Sequence, residues 1–247
     1  MAKLRVFLPA EGIGENGQLW YSASTDGTNF ATDQQVPAVG ITSDPSAVQF
    51  KNKIYVFHQG AGNNGELWYD TLEGGSVWLR DQNVSQTRLS AGPSAVVYND
   101  KVYVFHQSAG LTQELWYSVF DGENWSDDTK VEGVGMSSSP SAVVYNGRLF
   151  VFHQGAGNNG EVWYSVFDGT KWGTDTKVPA TAMSSGPSAV VDKTWLSFGP
   201  SAVVFKGCIY VFHHGGARDA RIFSESSMRN GPQLKAEHAP SSIGCST

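Results

Sequence analysis

Ile54-Tyr-Val-Phe-His-Gln59 returns as Val102-Tyr-Val-Phe-His-Gln107, as Leu149-Phe-Val-Phe-His-Gln154 and as Ile209-Tyr-Val-Phe-His-His214, with a weaker copy at Leu4-Arg-Val-Phe-Leu-Pro9. Measured on the shared phenylalanine, Phe57 to Phe105 is 48 residues, Phe105 to Phe152 is 47, Phe152 to Phe212 is 60 and Phe7 to Phe57 is 50. A self-similar period of this size marks a repeat architecture. In the clearest copy, Pro140-Ser-Ala-Val-Val-Tyr145 predicts a first strand, Asn146-Gly147 a type I′ turn and Leu149 to Gln154 a second strand. The loop Gly155-Ala-Gly-Asn-Asn-Gly160 then leads to a third strand, Glu161-Val-Trp-Tyr-Ser-Val-Phe167. Asp168-Gly169 turns that strand into a fourth, around Trp172 to Val178. Strands apolar on both faces fit a sheet covered on both sides, and four strands per 40–50 residues is the signature of a propeller blade. The fold class predicted is all-β, a single propeller domain of about five four-stranded antiparallel blades.

The blades fall at about 1–44, 45–92, 93–139, 140–186 and 187–247. Blade 1 begins at its second strand, and blade 5 loses the repeat after Ala217. The long last step arises because Gly186-Pro-Ser-Ala-Val-Val191 is copied again as Gly199-Pro-Ser-Ala-Val-Val204, the second copy being the one in register. The surplus copy reads either as an insertion or as a filler for the strand that blade 1 lacks. With less apolar area to bury, blade 5 is expected to be the least stable.

Strand order places the first-to-second and third-to-fourth turns on one rim, and the second-to-third and fourth-to-first loops on the other. The first rim carries only two-residue turns, so function belongs on the second, where longer loops are held by a rigid scaffold. That rim gathers His58, Gln59, Asn63, Asn64, Glu66 and Trp68 in blade 2. Blade 3 repeats the set as His106, Gln107, Glu114 and Trp116, and blade 4 as His153, Gln154, Asn158, Asn159, Glu161 and Trp163. Amide, carboxylate and imidazole groups suit vicinal hydroxyls, and an indole face suits the C–H side of a pyranose. Repetition would add avidity. The plainer reading stands beside this one: Trp78, Trp125 and Trp172 read as inter-blade packing, and a buried, satisfied imidazole explains the repeated histidine equally well. With no His-x-x-x-His and no cysteine pair within a repeat, neither a metal nor a cofactor is expected.

A net charge of −6 argues against nucleic acid as a partner. No run of eighteen apolar residues predicts a membrane span, and no signal peptide precedes Pro9. The expectation is a cytoplasmic protein, with any release by a non-classical route. Only Cys208 and Cys245 occur, so no disulfide framework holds the fold, and whether these two pair stays open.

The run Pro-Ser-Ala-Val-Val-Tyr-Asn-Gly-Arg-Leu-Phe-Val-Phe, followed by Val-Trp-Tyr-Ser, Phe-Asp-Gly and Trp, resembles the repeat of bacterial and fungal propeller lectins. The likeness is to the Photorhabdus type and more distantly to the fucose-binding Aleuria type. It covers blades 2 to 4 well, blade 1 partly and blade 5 poorly. The resemblance implies a non-catalytic, multivalent glycan-binding protein for sugars such as fucose or N-acetylglucosamine, and six or seven blades where the repeats number five. Leu8-Pro9 and Phe223 stand at candidate positions of blades 1 and 5, so two or three competent sites are expected. Two other readings remain. A protein-interaction propeller would carry repeated Gly-His and Trp-Asp or double-glycine signatures, which do not recur. A glycosidase needs two added carboxylates. None stands out, and Ser24-Thr-Asp-Gly-Thr-Asn-Phe30 is one residue short of the sialidase Asp-box it resembles.

Overall fold

Alternating apolar residues build one antiparallel hairpin after another. The computed structural model describes residues 4–9, 17–25, 28–179 and 183–187, and beyond them the backbone of Val203–Phe205, Cys208–His214, Ile222–Ser227 and Lys235–Ala236. Among these residues helix is confined to two three-residue turns, Ala61–Asn63 and Ala156–Asn158. No helix among them is long and apolar enough to cross a membrane.

The chain divides into two units, 1–134 and 135–247. In the first, Leu4–Pro9, Gln18–Ser24 and Gln34–Gly40 form a three-stranded sheet that starts at the repeat's second strand. The next sheet runs Ser46–Phe50, Lys53–Gln59 and Glu66–Glu73, with both Val77–Trp78 and Gln82–Arg88 on the outer edge of the third strand. Ser94–Tyr98, Lys101–Gln107 and Glu114–Phe120 repeat the pattern. In the second unit, Met136 to Tyr145 pairs with Arg148–Gly155, which pairs with Val162–Phe167, and Thr176–Lys177 lies outside. Val203–Phe205, Cys208–His214, Ile222–Ser227 and Lys235–Ala236 form a four-stranded sheet in that order. The surplus Gly-Pro-Ser-Ala-Val-Val copy after Pro187, the side chains that follow it, that of Cys208 included, and Cys245 lie outside the described residues, and with them the stability expected of blade 5.

One register recurs in every hairpin of second and third strands: Leu8 faces Trp20, His58 faces Trp68, His106 faces Trp116, His153 faces Trp163 and His213 faces Phe223. Type I′ turns, which need positive φ at both central residues, set it on one side. They fall at Lys51 and Asn52 (φ 45° and 62°), Asn99 and Asp100 (47° and 56°), and Asn146 and Gly147 (48° and 72°). The expected two-residue turn after the third strand is a four-residue loop instead, closed by a Phe120–Trp125 bridge. Its cause is the Asp121 carboxylate, which accepts the Glu123 and Asn124 amides at 2.8 Å and makes an Asx turn. Asp168 does the same for Thr170 and Lys171. The predicted fourth strand is likewise interrupted after its tryptophan and resumes just after Asp81, Asp128 and Asp175, whose carboxylates turn toward the second strand.

Phe57, Phe105 and Phe152 alternate with the histidines and are fully buried. Trp125 stands edge-on to Phe57 at 5.9 Å and against Tyr69 at 5.8 Å, while Trp78 meets Phe7 and Tyr21 at 6.1 and 5.5 Å. These fourth-strand tryptophans join one blade to the preceding one, as the packing reading expects.

Candidate functional site

Within each unit, the loops after the second strands meet the segments that follow the fourth. Leu89 N–H donates to Gly65 O at 2.9 Å and Ser90 Oγ to Ser108 O at 2.8 Å, so the segment after the fourth strand of blade 2 fastens its own loop and that of blade 3. Thr42 Oγ1 to Gly60 O and Ser137 Oγ to Gly155 O, at 2.8 and 3.0 Å, repeat the tie. Within the blade 2 loop, Asn64 Oδ1 accepts the Glu66 amide at 2.9 Å and Asn64 Nδ2 donates to Glu66 Oε2 at 3.3 Å; Asn159 and Glu161 duplicate both bonds. The Asn side chain and the indole close over Gly60: a Cβ there would meet Asn64 Nδ2 at 2.6 Å and Trp68 Cδ1 at 2.8 Å. Gly155 is equally tight against Asn159 and Trp163. Gly60→Ala and Gly155→Ala are therefore each expected to cost about 1–3 kcal/mol in urea unfolding, by overpacking at the rim.

Glu66, Glu114 and Glu161 carry the exposed chemistry. Trp68 Nε1–H donates to Glu66 Oε2 at 3.3 Å, Trp116 to Glu114 at 3.3 Å and Trp163 to Glu161 at 3.2 Å. The other oxygen of each carboxylate pairs with a cation: Arg88 Nη2 at 3.1 Å from Glu66, Lys130 Nζ at 2.7 Å from Glu114, and Lys177 beside Glu161. Bonds from Lys130 and Trp116 hold the Glu114 carboxyl below the usual carboxylate range, and Lys177, against partial burial and together with Trp163, does the same for Glu161. Each cluster thus offers a fixed anionic acceptor, a cationic donor and a partly exposed indole. Blade 3 is built differently, since Ser108 replaces the glycine and its Oγ takes over the loop bond, accepting the Glu114 amide at 3.1 Å.

Asn63 and Asn158 are exposed on the same loops, whereas the histidine and glutamine candidates lie inward. His58, His106 and His153 are 0% exposed, and Gln59, Gln107 and Gln154 are buried, so the expectation that imidazole and amide face a ligand does not fit. Gln59 Nε2 donates to Asn63 Oδ1 at 3.1 Å and to Leu89 O at 3.3 Å, tying the two rim loops. Each imidazole has Nδ1 3.2 Å from the carbonyl of the following glutamine. On the other side, His106 Nε2 meets Asp128 at 3.0 Å and His153 Nε2 meets Asp175 at 3.1 Å, each aspartate also accepting a hydroxyl from Ser118 or Ser165. Blade 2 has Asp70 where its sisters have serine, so His58 Nε2 faces Asp70 at 3.2 Å and Asp81 at 3.4 Å. Burial alone would lower the His58 pKa, but the two carboxylates outweigh it and hold it up to about 9.

Sequence reasoning missed Arg88, Lys130 and Lys177. Asp128-Thr-Lys-Val131 and Asp175-Thr-Lys-Val178 repeat the lysine five residues after the fourth-strand tryptophan and were a usable signal. Blade 2 breaks that signal, having Asn83 at the lysine position and its cation at Arg88, opposite Glu66.

No family model and no curated protein matches the chain. Solved structures do. A variant of Aleuria aurantia lectin in complex with Fucα1-6GlcNAc superposes with a TM-score of 0.63 at 13% identity, covering 96% of this chain and 78% of that one. The Aleuria aurantia structure described as a six-bladed β-propeller with a novel fucose recognition mode gives 0.64 at 13% identity, over 95% and 73%. AofleA from Arthrobotrys oligospora gives 0.62 at 14% identity, over 95% and 68%. The NanB sialidase from Streptococcus pneumoniae matches less well, at 0.54 and 14% identity, with 80% of this chain on 32% of that one. The fold is that of β-propellers.

Proposed function

We propose that this protein is a non-catalytic lectin with three glycan pockets, built on Glu66, Trp68 and Arg88, on Glu114, Trp116 and Lys130, and on Glu161, Trp163 and Lys177. The five-blade count in one domain belongs to the same proposal. The observation that carries it is the threefold recurrence of a carboxylate, a cation and an indole already bonded to one another at the rim. An ionised carboxylate accepts hydrogen bonds from two vicinal hydroxyls while the cation donates to their oxygens, and the indole face covers the apolar side of the ring. Fucose suits this arrangement, with vicinal hydroxyls on one side and a methyl group on the other; N-acetylglucosamine is the second choice. Structural neighbours crystallised with fucosides support the assignment. A carboxylate neutralised by a salt bridge stays ionised at neutral pH and makes a poor general acid, which favours binding over hydrolysis.

Titration calorimetry with methyl α-L-fucoside tests this. Two matching sites and a third of different affinity are expected, because blade 3 lacks the Gly–Asn frame. The absence of heat with both fucose and N-acetylglucosamine would overturn it. Because Glu114 and Glu161 titrate below their usual value, those two pockets should keep their affinity as pH falls to 4.5 and lose it only below that.

A further inference from the structure

We propose that His58, Asp70 and Asp81, the one such cluster among the described residues, form a binding site in blade 2 for one divalent transition-metal ion of the zinc or manganese class. The three donors lie within 4.8 Å of one another, with Nε2 3.2 and 3.4 Å from the two carboxylate oxygens. Donors that share an ion at bonds of about 2.0–2.2 Å stand about 3.0–3.4 Å apart, so these separations need little adjustment.

The internal repeats supply the second argument, which is one of charge. His58 Nδ1 faces the Gln59 carbonyl, which only accepts, so Nδ1 carries a proton and Nε2 points at the carboxylates. The same orientation by a backbone carbonyl is how metal-bound histidines are fixed. In blades 3 and 4 one imidazole meets one aspartate, and a serine hydroxyl completes the bonding. In blade 2 the serine is replaced by Asp70, itself buried, so two carboxylates converge on one imidazole nitrogen and a second carboxylate stands where its sisters have a neutral hydroxyl. Asp81 Oδ1 is buried and accepts no hydrogen bond of sound geometry. A divalent ion in place of the Nε2 proton brings the cluster to neutrality and gives Asp81 Oδ1 a partner. Access is from the Asp81 side, the only donor of the three with appreciable exposure, at 20%.

Glu66, Trp68 and Asp70 alternate along one strand face, so the ion would sit behind the indole of the blade 2 pocket rather than in it. No short spacing motif contains this set, because its ligands come from two neighbouring strands and from the break before Gln82–Arg88, twelve and eleven residues apart in sequence.

The test is titration calorimetry of Zn²⁺ into the full, chelator-treated chain at pH 8, without sugar, beside Asp70→Ser. That variant installs the residue blades 3 and 4 already accommodate and should fold. The parent is expected to bind one equivalent, Asp70→Ser to bind at least 100-fold more weakly, and Zn²⁺ to raise the parent's melting temperature but not the variant's. Absence of binding by the parent, or equal affinity in Asp70→Ser, would overturn the proposal whatever the sugar experiments show.

Discussion

Replacing Glu66, Glu114 and Glu161 together by glutamine is expected to lower sugar affinity at every pocket by ten-fold or more, while the unfolding midpoint hardly moves. Each substitution keeps the side-chain volume and removes one charge-assisted acceptor, worth about 1.5–3 kcal/mol, which converts to roughly 10- to 150-fold in affinity. The effect on stability is small because the ion pairs to Arg88, Lys130 and Lys177 are partly exposed, and such pairs contribute about 0–1 kcal/mol. Calorimetry and urea unfolding on the same sample separate the two effects. Unchanged sugar affinity in the folded triple variant would remove these carboxylates from the binding site.

The second large effect concerns stability. His153→Ala is expected to cost about 3–5 kcal/mol, because it opens a cavity where a fully buried ring stood and leaves Asp175 with only the Ser165 hydroxyl, at 2.7 Å, in place of two hydrogen-bond partners. His106→Ala should cost the same, since Asp128 and Ser118 repeat the arrangement. A surface histidine contributing only to ligand contact would cost well under 1 kcal/mol. Urea unfolding therefore decides between an interior role and a ligand role for the repeated histidine.

The repeat made the hairpins, their register and the rim with the long loops legible, because periodicity and Asn-Gly chemistry are local. Asn146 and Gly147 have the positive φ their turn demands, and the fourth-strand tryptophans Trp78 and Trp125 pack where inter-blade residues should. Glu66, Glu114 and Glu161 and the paired Trp68, Trp116 and Trp163 stand out for the same reason, each Glu two residues before its Trp at the start of the third strand and bonded to its indole N–H. What the sequence hid was side-chain partnership across strands. The histidines alternate with Phe and share a face with Val, which allowed either burial or ligand contact, and only the aspartates arriving from the broken fourth strand decide for burial. Arg88 was hidden too, because a bulge between Glu66 and Trp68 shifts the register and brings it, five positions after Asn83, opposite Glu66. The Asx turns at Asp121 and Asp168 lengthen a connection that reads as two residues, since the carboxylate, rather than the glycine, organises the loop.

A glycan array probed with the parent protein and with the triple Glu→Gln variant tests the central claim most directly. Carbohydrate binding through the three rim pockets predicts that the parent binds fucose-terminated glycans and that the folded triple variant loses that signal. An array without signal for the parent, or one left unchanged by the three substitutions, would contradict it.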